Sequence, residues 1–226
     1  AARGRARIHS SVSAPAFAQL PSSPGWGTLP GTTLQSACAS SAQFPGIEGY
    51  TGCASVLIAW NSGAFDTLRN RLILWGGGHN DYYGNELYAL DLIQQSMVRL
   101  NDPGIPVAPQ SSCQEFQGPG GSQPNSRHNY GGITYIEHLD QVFVVSGALA
   151  CSAASTSDGA WIFSFSTMAW QRKTPAGDPL VPPGFAARDL EGTAAAYDPV
   201  SRLVFIDNLF GLVSYDASTN RYATHH

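Results

Sequence analysis

The stretch "LWGGGHNDYYGNELYALDL", residues 74–92, runs from an apolar strand into three glycines, then into His79, Asn80, Asp81, Tyr82 and Tyr83, and back into an alternating apolar strand. A hairpin connection needs only roughly two to five residues, usually with Gly, Asn or Asp among them. This one is longer and carries imidazole, amide, carboxylate and phenol groups together. The returning strand, "ELYALDL" (86–92), has the period of two that marks a half-buried β-strand.

The same plan recurs along the chain. "SVLIAWNSGAFDTLRNRLILWGGG" (55–78) contains two strands around a turn at Asp66 to Asn70, with Trp60 and Trp75 read as strand and core residues. "GGITYIEHLDQVFVVSG" (131–147) and "GTAAAYDPVSRLVFIDN" (192–208) repeat it, the latter with a Pro that presets φ in its turn. Third strands follow at 86–92, 160–166 and 212–217, and fourth strands at 96–102, 169–175 and 221–226. Each unit is thus four short antiparallel strands, a, b, c and d. A lone sheet of this kind cannot cover both its faces, so the units must stack on one another. Radial stacking is the β-propeller solution.

The b strand ending in glycines, "ILWGGGHND", followed by "NELYALDL" and "MVRL", resembles a kelch-type propeller blade, and the broader group it resembles is the kelch and galactose-oxidase-like superfamily. The likeness covers roughly residues 50–226 and is sharpest in the first unit. The second unit has "VVSGALA" at the matching place, and the third has "FIDNLFG" with almost no b–c loop. The expectation is an all-β chain: a flexible leader at 1–24, then a propeller portion at 25–226 with units near 35–102, 103–173 and 174–226. Three units do not close a ring, so the missing blades would come from further polypeptide, which both end units would contact. "GWGTLPGTTL" (25–34) is a candidate extra d strand.

Composition agrees with a turn-rich β protein. Charged residues make up only 12%, with Gly 24 and Pro 15, which argues against helical bundles and coiled coils. A net charge of −4 leaves no electrostatic footprint for nucleic acid. No apolar run is long enough to span a membrane. The four cysteines, Cys38, Cys53, Cys113 and Cys151, match no zinc spacing, and their even number favours two disulfides and an extracellular or periplasmic location. No metal and no cofactor is expected.

In a propeller of the kind resembled, b–c loops and d–a connections emerge on one face, and a–b and c–d turns on the other. On that map His79, Asn80, Asp81, Tyr82 and Tyr83 meet Arg127, His128 and Tyr130, with Arg188, Asp189 and Glu191 one unit further. Cys113 and Cys151 fall on this face and are expected to pair, as are Cys38 and Cys53. His138 sits in an opposite-face turn and is expected to be inert.

The residue types suit a saccharide, acidic or neutral. Aromatic rings stack on pyranose faces, and Arg binds carboxylates bidentately. His79, His128, Tyr82 and Tyr130 are the candidate catalytic residues; Asn80, Asp81, Tyr83, Arg127, Arg188 and Glu191 are candidate substrate contacts. Several propellers of this resemblance are polysaccharide lyases, in which Tyr or His removes the C5 proton of a uronate. Purely structural roles compete: His79 on loop carbonyls, Arg127 and His128 bridged to Glu115 or Asp81, Arg188 bridged to Glu191. A non-enzymatic extracellular scaffold is the alternative function. Copper-radical oxidation would need a cysteine joined to a tyrosine and finds less support.

Overall fold

A computed structural model describes residues 23–152, 155–185 and 190–225. The expected leader falls almost wholly outside these residues, as do Arg188 and Asp189. The chain is 36% strand and 9% helix, so the all-β expectation holds.

The strands in chain order are β1 (Gly63–Asp66), β2 (Arg71–Leu74), β3 (Tyr88–Asp91), β4 (Ser96–Arg99), β5 (Phe116–Gln117), β6 (Gln123–Pro124), β7 (Arg127–His128), β8 (Ile133–Ile136), β9 (Gln141–Val145), β10 (Ala148–Leu149), β11 (Ala160–Ser164), β12 (Ala169–Lys173), β13 (Ala176–Gly177), β14 (Ala194–Asp198), β15 (Leu203–Asn208), β16 (Gly211–Asp216) and β17 (Arg221–His225). They form three antiparallel meanders, β1-β2-β3-β4, β8-β9-β11-β12 and β14-β15-β16-β17, with β13 added in parallel to the edge of β17. The small ladders β5–β6 and β7–β10 lie in the loops. The first strands stand side by side, β8 between β1 and β14. One backbone bridge joins Gly131 to Ala194 in parallel.

Four of the six tight turns share one physical cause. Asp66, Asp91, Asp198 and Asp216 accept backbone N–H groups two and three residues on, from Leu68 and Arg69, Ile93 and Gln94, Val200 and Ser201, and Ser218 and Thr219. The side chain thereby does the work of a turn carbonyl. Asn70, Gln95, Asp140, Met168, Arg202 and Asn220 then take positive φ at the last turn position before the returning strand.

Packing follows the period-two pattern. Ile73, Trp75, Leu87 and Ala89 of the first unit meet Val142, Val144, Trp161 and Phe163 of the second. The alternate residues of the second unit, Phe143, Val145, Ala160 and Ile162, meet Val204, Ile206, Val213 and Tyr215 of the third. The middle sheet is therefore apolar on both faces, which is why "QVFVV" and "AWIF" read as continuous apolar runs. The outer face of the first sheet, through Leu72, Leu74, Tyr88, Leu90 and Met97, is covered by Leu34, Ala39, Ile47 and Val56 of the preceding segment. That end is closed by the chain itself, contrary to the expectation of two open ends. On the third sheet Ala194, Ala196 and Leu212 stay exposed.

Three local expectations are corrected. Residues 25–33 contain no strand, and Trp26 is fully exposed. Ser55–Ile58 is a single helical turn, not strand, because it continues the 3-10 turn that carries Cys53. Trp60 is accordingly off the sheet and 70% exposed, not core.

Both disulfides pair as expected, Cys38 with Cys53 and Cys113 with Cys151. In the chain-entropy model, loops of this length are worth about 3–4 kcal/mol each. No helix among the described residues is long and apolar enough to cross a membrane.

A buried ion pair fastens the connection between the first two sheets. The Arg127 guanidinium, fully enclosed, donates to Glu115 Oε1 at 2.9 Å and to the carbonyls of Asn125 at 3.1 Å and Ser146 at 3.0 Å. Trp161 Nε1 donates to the same carboxylate at 2.8 Å, as does the Ser157 hydroxyl. Burial opposes ionisation of Glu115, but Arg127, Ser157 and Trp161 outweigh it and hold its pKa below the ordinary value. A depressed carboxylate contributes stability above its unfolded pKa, about 4.3 for Glu, and loses it as pH falls through the folded value. Glu115→Gln should therefore cost about 3–5 kcal/mol at neutral pH, because it leaves Arg127 buried without a counter-charge. In urea titrations the gap to the wild type should shrink on acidification below about pH 4.3; a gap that is absent at neutral pH would remove the pair as a fastening.

Candidate functional site

The 75–87 connection folds over β7, and the glycines explain how. Gly77 N–H donates to the Arg127 carbonyl at 3.0 Å. Gly78 has φ +66°, and a Cβ there would overlap the His128 ring and backbone. The imidazole thus lies directly on the glycine backbone. Such a seat needs no side chain at position 78, only room.

Around His128 the other rings gather. Ring-centroid distances are 4.4 Å to His79, 5.3 Å to Trp60 and 6.2 Å to Tyr130, the last edge-on. His128 Nε2 lies 3.1 Å from Asp81 Oδ2. Because an ionised carboxylate can only accept, this contact puts the proton on Nε2 and leaves the lone pair on Nδ1. Burial, then the neighbouring His79, lowers the His128 pKa, and Asp81 and Glu191 only partly oppose this. His128 is therefore a neutral imidazole at neutral pH.

The backbone marks the same place. Ten non-glycine residues among those described have positive φ, and six of them are the hairpin positions named above. The remaining four are Trp60, His79, Tyr130 and Ser146. Three of these four surround the His128 ring. Backbone held in this region costs about 1–3 kcal/mol per residue and persists only where its surroundings enforce it. Here Tyr130 N–H donates to the Trp60 carbonyl at 2.9 Å, Asn61 Oδ1 accepts Asn129 N–H at 3.0 Å, and Asn129 Oδ1 accepts Ser62 N–H at 2.9 Å.

The expected site residues divide. His79, Asn80, Asp81 and Tyr130 come together on one face, part-exposed, around the His128 ring, which lies beneath them and is 2% exposed. Glu191 is exposed beside them and raises the Tyr130 pKa, after burial, which is the larger cause. Tyr83 donates from its hydroxyl to Asn80 Oδ1 at 2.8 Å and fixes that amide. Arg127 does not reach the face: burial in the Glu115 pair spends its donors, so its assignment as a substrate contact gives way to the salt bridge. Tyr82 is likewise removed from catalysis. It is 1% exposed, donates to Glu86, and has its pKa pushed far up by burial and that carboxylate. Arg188 lies outside the described residues. Trp60, Asn61 and Asn129 were missed; the "WNS" step after an apolar run was the available signal for the first two. His138, as expected, sits away from the cluster, stacked on Tyr197 at 5.7 Å.

No protein-family model and no curated protein sequence matches the chain. Among solved structures it is similar to "Structure of YjhT", with a TM-score of 0.43 and 14% identity over 80% of this chain and 52% of that one. The chain thus spans about half the length of that protein.

Gly78→Ala tests the packing directly. The added methyl must displace the His128 ring and strain the backbone together, so it should destabilise the fold by about 2–4 kcal/mol. Gly184→Ala, where φ is also positive but nothing lies within 4 Å, isolates the backbone part. Equal losses of stability in the two variants would mean the imidazole is not seated against Gly78.

Proposed function

We propose that the chain is part of a kelch-type β-propeller protein of an oxidising compartment, and that its loop-rich face binds a saccharide and cleaves a uronate chain by β-elimination. The observation that carries this reading is the neutral His128 held between Asp81, His79, Trp60 and Tyr130 on strained loops. Binding and catalytic groups concentrate on loops set by a rigid scaffold, and backbone strain collects at such sites.

The residues divide the chemistry as follows. His128 is only 2% exposed, so its Nδ1 takes the C5 proton once the rings that cover it move aside, and Asp81 stabilises the imidazolium that forms. The C5 electron pair becomes the C4–C5 double bond as the C4–O4 bond breaks. Tyr130, whose raised pKa keeps its hydroxyl protonated, gives O4 its proton and is a poor base for the same reason. With Arg127 withdrawn, His79 and the Asn80 amide hold the C6 carboxylate. Both disulfides consume all four cysteines, leaving none for the tyrosine cross-link of a copper-radical oxidase. The alternative, a non-enzymatic scaffold, is favoured by the uncovered apolar positions of the third sheet.

The test is the absorbance of unsaturated product from polygalacturonate, polyglucuronate and alginate. His128→Ala should lower the rate about 10²–10⁴-fold, the range for a lost general base. A base must be deprotonated to act, so the rate should climb with pH and level off above a pKa lower than about 6.5, the ordinary imidazole value. His138→Ala should leave it unchanged. No product from any of these polymers, or equal rates in the two variants, would overturn the lyase reading.

A further inference from the structure

Beside the His128 cluster, on the same face, lies a cleft of about 410 Å³ lined by Glu48, Tyr50, Asn80, Tyr83, Gln110 and Ser152. Asn80 connects the two places, since it follows His79 directly in the chain and also forms one wall of the cleft. The lining has a definite chemistry. It offers two carboxamides, two phenols, a hydroxyl and a carboxylate, with no cation and no aliphatic floor. Such a surface suits no lipid and matches the hydroxyl groups of a sugar ring, with any carboxylate of that ring turned away from Glu48 to solvent. Tyr50 is 89% exposed at its rim and presents an aromatic ring with a polar tip.

The walls are fixed before any ligand arrives. Tyr50 N–H donates to the Asn80 carbonyl at 2.8 Å, while Thr51 and Gly52 donate to that of Asp81 at 3.2 and 2.9 Å. Across the cleft, Ser152 donates from N–H at 2.8 Å and from Oγ at 2.9 Å to the Gln110 carbonyl. Cys53 and Cys151 anchor the two walls through their disulfides. The volume lies within the roughly 300–1,000 Å³ of small-ligand sites. It is distinct from the position at His128, yet begins one residue from His79 of that cluster.

We propose that this cleft is a second sugar-binding position, in which Tyr50 stacks on a pyranose ring and Asn80, Gln110 and Ser152 bond its hydroxyls, so that the face takes an oligosaccharide chain and not a single sugar. The inference rests on the saccharide reading above and deepens it.

Titration calorimetry with the galacturonate, glucuronate and gluco-oligosaccharide series, each from monosaccharide to hexasaccharide, tests it. Wild-type affinity for one series should rise on lengthening beyond the monosaccharide. Tyr50→Ala should remove about three- to tenfold of that gain and leave monosaccharide affinity unchanged. Because Tyr50 is exposed, the variant should keep the wild-type melting temperature, which separates lost stacking from lost folding. Affinity independent of length, or a length-dependent gain that Tyr50→Ala leaves intact, overturns the second position while the site at His128 stands. Failure of every series to bind the wild type overturns both readings.

Discussion

The buried Arg127–Glu115 pair is the interaction on which the rest of this structure depends. Removing two charges from water is expensive, and such a pair survives only with near-complete hydrogen bonding. Arg127 reaches that condition by collecting carbonyls from Asn125 and Ser146 and a carboxylate from the 113–115 region, over the face of Trp75 at 5.8 Å. It thereby ties both flanking connections to the seam between the first two sheets. Its neighbour in sequence, His128, has no freedom left. The two-residue strand β7 is gripped from one side by the glycines at 76–78 and from the other by Gly147, whose φ of +101° brings its backbone against Arg127 and His128. A buried cation thereby sets the position of the imidazole beside it, itself only 2% exposed.

The three sheets differ in how they satisfy the same requirement. An apolar sheet face must find a cover. The middle sheet finds one on each side. The first borrows residues 34–56, whose path is closed on itself by the Cys38–Cys53 disulfide. The third has its d-strand edge extended by β13, which pairs with β17 in parallel, but its outer face retains exposed alanines and Leu212. The asymmetry has a consequence for the loaded face. The segment that covers the first sheet is also the segment that supplies Glu48 and Tyr50, so packing of the core and shaping of the cleft are done by one stretch of chain.

Most of the strand plan was legible because two independent signals agreed: a period of two in the apolar residues, and Asp, Asn or Gly where a hairpin must reverse. Cysteine pairing was legible once loops were sorted by face. What failed was whatever depends on burial, which residue type does not encode. Arg127 looks like a ligand contact in "SRHNY" until Glu115, twelve residues earlier, is brought to it. Tyr82 looks like an exposed phenol in "HNDYYG" until Glu86 takes its proton donor. "SVLIAW" looks like strand because its residues favour strand, yet the 3-10 turn carrying Cys53 imposes a helical start. Backbone sign is equally hidden: nothing in the letters of Trp60, His79 or Tyr130 announces positive φ, whereas Gly at such places is expected.

That strain separates the two faces more sharply than composition does. On the turn side, positive φ falls at six repeated hairpin positions, where the turn geometry itself calls for it. Around His128 no hairpin requires it, and the conformation is enforced instead by amides bridging separate connections, Asn61 to Asn129 and Asn129 to Ser62. Such bridges resist relaxation because releasing one leaves another buried polar group without a partner. The rings are consequently fixed in place: Trp60 is largely exposed, His79 and Tyr130 are partly so, and His128 lies beneath them at 2% exposure. The second imidazole, His79 at 4.4 Å, adds to the burial that lowers the His128 pKa. With Asp81 orienting one ring and burial lowering its basicity, the arrangement keeps an unprotonated nitrogen at neutral pH, and it owes this to packing that lies entirely beneath the surface where a ligand would sit.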